Sequence, residues 1–241
     1  MIISHQYRYV FVELPRTGSS AVRRELRELY DGAPILDKHS TYDEFRRQAT
    51  EDERRYFVFS TIRNPLDDAV SRYFKLKTDH RQRFSDVTRQ KHRRPLNTFL
   101  DERMFRWVAK TEGDFSTFFL HFYRLPHDTW ASLDHRNFDF VMRFERLVDD
   151  FDAALRRIGI EPTRPLPSRN VTGERGRSYA DYYTPAAQRR ALRVFGPYMR
   201  RWGYAFPPEW KLPAPSAFDE LSYRAFSRVA RTYWTHIRPR T

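Results

Sequence analysis

Hydrophobic residues along the chain fall into short continuous or alternating runs, separated by stretches with helical spacing. The runs at 10–14 and 56–62 and the alternating segment 138–144 are rich in aromatic and β-branched residues and predict strands. A short run at 34–39 predicts another strand. Each run precedes a stretch whose apolar residues recur every three or four positions, which predicts a helix. This alternation is typical of an α/β fold, a P-loop-like parallel sheet flanked by helices.

The same spacing predicts further helices in the second half of the chain. They cover 97–110, 114–123, 185–198 and 216–237, and the Pro-rich segment 206–215 precedes the last of them. Clustered Phe and Tyr side chains at 114–123 are expected to form core. Thr41 and Glu44 have the spacing of a capping box, which predicts a helix start near Tyr42.

Charge and composition narrow the possible functions. The 44 Lys and Arg residues against 31 Asp and Glu give a net charge of +13, which favours anionic partners, although a solvated basic surface is an equal explanation. The absence of cysteine excludes disulfides, thiolate catalysis and Cys-ligated zinc. No long apolar run resembles a membrane span and no signal-like start is present, so we expect a cytoplasmic protein.

A turn rich in small polar residues joins the first predicted strand to the first predicted helix. It reads Pro15-Arg16-Thr17-Gly18-Ser19-Ser20. Main-chain N–H groups and hydroxyls at a helix N-terminus bind phosphate, so the turn predicts a phosphate cradle with a cation at Arg16. The Gly-Lys-Ser/Thr ending of nucleotide triphosphatase loops is absent, which argues against a magnesium-dependent ATPase or kinase.

A second candidate anion site follows the strand at 56–62. Arg63 stands at the carboxyl end of that strand, where α/β proteins bind ligands, and Ser71 lies two turns into the next helix. A shared anion is one interpretation of this pair. Pairing of Arg63 with Asp67 or Asp68 at the helix start is the other.

Taken together, the two motifs resemble those of sulfotransferases that use 3'-phosphoadenosine 5'-phosphosulfate (PAPS). The cradle is similar to their 5'-phosphosulfate loop, and Arg63-Asn64-Pro65 with Val70-Ser71-x-Tyr73 to their 3'-phosphate motif. Later segments at 138–151, 170–172, 182–185 and 195–206 are similar to blocks of the carbohydrate sulfotransferase branch and its bacterial relatives. The resemblance implies a sulfotransferase domain over 1–206. A linker and an amphipathic helix follow over 207–241, packed on the domain or on a partner.

The resemblance also implies roles for individual residues. The 5'-phosphosulfate contacts are Pro15, Arg16, Thr17, Gly18, Ser19 and Ser20, and the 3'-phosphate contacts are Arg63 and Ser71, with Arg175 and Arg177 as further candidates. Arg16 replaces the usual lysine and is expected to face the sulfuryl group in transit. His39, in a Lys-His element, is expected to take the proton of the acceptor hydroxyl.

The expected acceptor is a carbohydrate, a glycolipid or a small hydroxylated molecule, and the transfer requires no metal. Residues 78–94 are predicted either to cover the acceptor or to form a solvated basic loop. The helix predicted at 216–237 has an apolar stripe. It is predicted to pack on its own domain, to contact an anionic membrane or to form a homodimer, and these three interpretations stay open. No nucleic-acid partner is expected. An inactive, nucleotide-binding sulfotransferase-like module and a basic nucleic-acid-binding protein are the alternative functions.

Overall fold

The computed structural model describes residues 1–82, 84–86, 95–111, 113–128, 137–167 and 177–233. The chain divides into two compact units. The first consists of Met1–Asn64, Asp128–Val171 and Arg224–Thr241, and the second of Pro65–His127 and Thr172–Tyr223. The described strands are β1 (Ile2–Ser4), β2 (Tyr9–Val12), β3 (Ala33–Pro34), β4 (Phe57–Ile62) and β5 (Phe140–Arg143). The described α-helices are α1 (Ser19–Leu29), α2 (Tyr42–Gln48), α3 (Pro65–Lys77), α4 (Pro95–Thr111), α5 (Phe115–Phe122), α6 (Leu147–Arg157), α7 (Pro185–Arg201) and α8 (Ala217–Thr232).

All five strands belong to one sheet in the first unit, in the order β3-β1-β2-β4-β5. The three strands β2, β4 and β5 are parallel, whereas β1 pairs antiparallel with both β2 and β3. The predicted α/β class is therefore confirmed, with two strands added at one side of the sheet: β1, which runs opposite to the others, and β3, which runs in the same direction as β2. Because β2, β4 and β5 run in the same direction, the segments that follow them leave the sheet at one edge.

Both faces of this sheet are covered within the first unit. On one face, Tyr9 and Phe11 of β2 join a buried cluster with residues of α1 and α6. On the other face, Val10 and Val12 pack in a cluster that includes Tyr42 and Phe45 of α2. Successive side chains of a strand point to opposite faces, so a strand with helices on both sides needs an unbroken apolar run. This is the run seen in the sequence.

The second unit is helical and has an aromatic core. Phe115, Phe118 and Phe119 of α5 are almost fully buried there, which confirms the expectation that the aromatic residues of this segment form core. Tyr183 packs edge-on against Phe115 at 4.7 Å between ring centroids, and its hydroxyl donates to the main-chain oxygen of Leu66 at 2.9 Å. Burial raises the pKa of Tyr183 well above its ordinary value. This tyrosine therefore ties the start of α3 to the core.

Two details of the sheet differ from the prediction. The strand expected at 34–39 covers only Ala33–Pro34, because Leu36 adopts a left-handed backbone with φ 56° that ends the extended conformation. The three-residue strand β1 was not predicted, since so short a segment gives no periodic pattern. The start of α2 is as predicted: Thr41 and Glu44 form the capping box.

Helix α8 has an exposed apolar face. The side chains of Phe218, Leu221 and Val229 are 75%, 65% and 69% exposed, whereas Tyr223 is buried. The predicted helix extended to 237, and its part after residue 233 lies outside the described residues. Over the described ranges, every helix is too short or too polar to cross a membrane.

Candidate functional site

The predicted cradle lies between β2 and α1 at the edge where the parallel strands end. Its backbone is left-handed at Arg16, with φ 67°, and at Gly18, with φ 79°. A Cβ atom at Gly18 would overlap Leu147 and lie 3.1 Å from Phe144, so the turn also packs closely against the segment that follows β5. Glycine is therefore required at this position both by its backbone conformation and by its neighbours.

Two hydroxyls of the cradle point inward and hold the turn. Thr17 Oγ1 and Ser19 Oγ donate to the main-chain oxygen of Leu14, at 3.0 Å and 2.5 Å. Thr61 Oγ1 of β4 lies 2.5 Å from Thr17 Oγ1, and since the single proton of Thr17 is directed at Leu14, Thr61 is the donor of this pair. These side chains fix the turn, while Ser20 is exposed. In the first turn of α1 the N–H of Ala21 donates to the main-chain oxygen of Gly18 at 2.9 Å, and the N–H groups of Ser19 and Ser20 are the ones suited to bind an anion.

Cationic side chains from three segments meet at the cradle. Arg16 is part of it, and Arg63, just after β4, donates from Nη1 to the main-chain oxygen of Arg16 at 3.1 Å. The Arg63 guanidinium also lies 4.2 Å from the ring centroid of Phe144. Lys38 Nζ donates to Ser20 Oγ at 3.0 Å. The first turn of α1 carries no acidic residue. This end of the helix is therefore strongly positive, as an anion site requires.

His39 lies beside the cradle, in the turn between β3 and α2. Its Nδ1 is 3.1 Å from the main-chain oxygen of Glu13. A carbonyl oxygen only accepts, so Nδ1 carries the proton and Nε2 of the neutral ring has the lone pair. Burial lowers the pKa of His39, and the nearby Lys38 ammonium acts in the same direction, against the hydrogen bond to Glu13. The ring is therefore neutral at neutral pH and can accept a proton.

No pattern in the sequence predicts a role for the buried carboxylate of Glu13. Its side chain is fully buried and forms an ion pair with Arg23 of α1. Its Oε1 has no hydrogen-bond partner within the described part of the chain. This ion pair connects the residue after β2 to α1, the two elements that the cradle joins. Nothing in the local pattern signals this contact, because it depends on how the strand and the helix pack.

The residues predicted at the 3'-phosphate are distributed over both units. Ser71 lies on α3 in the second unit, is 2% exposed, and its Oγ has no hydrogen-bond partner among the residues that the structure describes. Arg177 is exposed, with its guanidinium 4.5 Å from the ring centroid of Tyr182. Arg175 lies outside the described residues. Arg63 belongs to the first unit, and an anion shared between it and Ser71 stays a prediction.

The sequence also predicts a transfer that requires no metal and an acceptor covered by residues 78–94. Within the described ranges, no group of three or more His, Asp or Glu side chains is arranged to hold a metal ion. Much of the basic segment 78–94 lies outside these ranges, so its predicted contact with the acceptor stays a prediction.

Comparison with known proteins gave one match, to a family model. The model of the sulfotransferase family matches residues 1–204, which include the cradle, His39, Arg63 and Ser71. No curated protein and no solved structure matched the chain. The matched region contains the whole sheet and runs through α7. Since the match spans most of the chain, the protein belongs to the sulfotransferase family.

Proposed function

We propose that this protein transfers a sulfuryl group from PAPS to a hydroxyl of a carbohydrate or a related glycosylated or small-molecule acceptor, with His39 as the general base. Membership of the sulfotransferase family supports sulfuryl transfer in general. The observation that carries the more specific proposal is the hydrogen bond between His39 Nδ1 and the Glu13 oxygen, beside a turn built to bind an anion. A base and an anion cradle thus share one edge of the sheet.

The residues present are suited to the donor. At its 5' end, the candidates are the main-chain N–H groups of the cradle, the exposed Ser20 and the cation of Arg16. At its 3' end, the candidate is Ser71. Its buried hydroxyl has no hydrogen-bond partner among the described residues, and a phosphate oxygen would accept its proton. Arg63, Arg175 and Arg177 are the cations proposed to accompany it. When bound, PAPS supplies an activated sulfuryl group whose leaving group is a phosphate.

The protein contributes position and charge. The Glu13 oxygen holds the His39 ring in the tautomer with a lone pair on Nε2, which receives the proton of the acceptor hydroxyl. The positive end of α1 and Arg16 stabilise the negative charge on the phosphate side. Holding acceptor and donor in line is the remaining requirement, and covalent participation of a side chain is unnecessary.

The carbohydrate acceptor is the most specific part of the proposal. Its support is the resemblance of the later segments, 138–151 and 195–206 among them, to the carbohydrate sulfotransferase branch. We propose that the acceptor binds next to His39, since the base must reach its hydroxyl. The PAPS-binding domain is proposed to extend over 1–206.

One experiment tests donor and acceptor together. The protein is incubated with PAPS carrying a labelled sulfuryl group and with a panel of sugars, glycolipids and phenols, and labelled products are separated. We expect transfer to at least one carbohydrate. In parallel, 3'-phosphoadenosine 5'-phosphate should raise the melting temperature by mass action. Stabilisation without transfer to any acceptor would favour the inactive nucleotide-binding module, and absence of both would overturn the proposal.

A further inference from the structure

Lys38 is a cation at the cradle that belongs to neither anion-binding motif. Its side chain is exposed and its Nζ donates to Ser20 Oγ at 3.0 Å. Ser20 is the second residue of α1, where the helix dipole presents its positive end. A cation at this end of a helix is unfavourable by itself, and the first turn has no acidic residue to offset it. An anion bound at this end of the helix would offset the charge of Lys38.

Arg16 and Lys38 differ in what they can do at this anion. Arg16 stands where the resembling loops have lysine, and its guanidinium is planar, delocalised and bulkier than an ammonium. Its backbone is left-handed, and its main-chain oxygen accepts from Arg63. Lys38 ends in a compact ammonium with three donors, of which Ser20 accepts one. The chemistry of the loop lysine is thus available from a different segment of the chain.

We propose that Lys38 contacts the 5'-phosphate of the donor and neutralises the charge that develops on it, the task of the loop lysine that Arg16 replaces. This inference rests on the proposed sulfotransferase function. In the step, the acceptor oxygen forms a bond to sulfur while the bond from sulfur to the 5'-phosphate oxygen breaks. The electron pair of the broken bond stays on that phosphate oxygen, beside Lys38. The hydroxyl proton goes to Nε2 of His39, the next residue in the chain.

Binding measurements separate this role from a general effect of charge. Isothermal titration calorimetry with adenosine 5'-phosphate, adenosine 3'-phosphate and the 3',5'-bisphosphate reports each end of the nucleotide. Lys38→Met is expected to weaken both 5'-phosphate ligands about tenfold, because one charge-assisted hydrogen bond is lost. Adenosine 3'-phosphate should bind within about twofold of wild type. Lys110→Met, which removes an exposed lysine in the last turn of α4, is the matched control and should leave all three affinities unchanged.

Transfer kinetics add a compensation test. With labelled PAPS, Lys38→Met is expected to lower the turnover number about 100-fold, in the range for loss of one group that stabilises a developing oxyanion. Adding Arg16→Lys to Lys38→Met restores a lysine in the loop and should recover part of the rate. The melting temperature should stay that of wild type, since the Lys38 side chain is exposed.

The outcomes distinguish this inference from the function on which it rests. Suppose that the wild-type protein binds the bisphosphate and transfers the sulfuryl group. If the affinity and the turnover number of Lys38→Met are then within about threefold of wild type, only the role of Lys38 is overturned. Equal weakening of all three nucleotides by Lys38→Met does the same, because it indicates a long-range field instead of a contact. A wild-type protein that neither binds the bisphosphate nor consumes PAPS overturns both.

Discussion

The main-chain oxygen of Glu13 accepts a hydrogen bond from Nδ1 of His39 at 3.1 Å. Glu13 directly follows β2 and precedes the cradle, while His39 belongs to the turn before α2. One hydrogen bond thus fixes the distance of the imidazole from the anion-binding turn and decides which ring nitrogen carries the proton. The proposed base is therefore aligned by the backbone of the sheet edge itself.

Two substitutions separate the base function of His39 from its structural bond. In His39→Asn the amide N–H can still donate to Glu13, whereas in His39→Ala that donor is lost. Both variants lack a base, so we expect each to lower the turnover number by about 10²- to 10⁴-fold in the labelled-PAPS assay. Affinity for 3'-phosphoadenosine 5'-phosphate should change by less than about threefold. His5→Ala, at an exposed histidine of the same unit, is the control. An active His39→Asn variant would exclude His39 as the base.

The pH dependence of transfer follows from the lowered pKa of His39. Burial, the largest cause, disfavours the imidazolium, so the pKa lies below the ordinary value of 6.5. Only the neutral ring accepts a proton. The value of kcat/KM, which reports the free protein, should therefore level off above pH 6.5 and fall as the pH drops through a midpoint below 6.5. In Lys38→Met the midpoint should move upward, because the Lys38 ammonium also lowers this pKa. A wild-type midpoint above 6.5 would contradict the role of His39.

Most of the fold follows from local patterns in the sequence. The strand predicted at 56–62 corresponds to β4, Phe57–Ile62, and the helix predicted after this strand is α3, Pro65–Lys77. Both patterns are strong, because a strand buried on two faces must be apolar throughout and proline at a first helical position marks the start. The prediction of a strand over 34–39 was wrong, because the composition of this segment gives no indication of the left-handed backbone at Leu36.

The candidate site was predictable only where it is contiguous in sequence. The cradle is one segment and could be identified as such, and Lys38 was recognised as part of the Lys-His element but was given no role of its own. The contact of Lys38 with Ser20 spans 18 positions, and that of Thr17 with Thr61 spans 44. No periodicity signals such contacts, because the packing of the sheet creates them. The inward direction of the Thr17 hydroxyl could therefore be learned only from the structure.

Gly18 tests whether the cradle requires its close packing. In Gly18→Ala the left-handed backbone costs about 1 to 2 kcal/mol, and overlap with Leu147 adds about 1 to 3 kcal/mol. Urea unfolding should show a loss of about 2 to 5 kcal/mol. The double variant Gly18→Ala with Leu147→Ala, compared with Leu147→Ala alone, should show a smaller loss, made up of the backbone cost and the remaining close contact with Phe144. Equal losses in both backgrounds would mean that Leu147 does not restrict the turn.

For Ser71→Ala we expect unchanged stability but weaker binding of ligands with a 3'-phosphate. The buried Oγ of Ser71 has no hydrogen-bond partner in the described part of the protein, so Ser71→Ala removes no internal hydrogen bond and should change the free energy of unfolding by less than about 0.5 kcal/mol. The same variant should weaken adenosine 3'-phosphate and the 3',5'-bisphosphate about tenfold, and leave adenosine 5'-phosphate unchanged.

Thr78→Ala, at an exposed residue just after the same helix, is the control for Ser71, and it should leave all three affinities unchanged. A loss of stability above about 1 kcal/mol in Ser71→Ala would indicate an internal partner for the hydroxyl. In that case the hydroxyl is structural and the argument for a phosphate at Ser71 fails. Unchanged binding of the 3'-phosphate ligands would exclude the contact directly. Weakened binding at constant stability is the one combination that an anion-binding serine produces and a core serine does not.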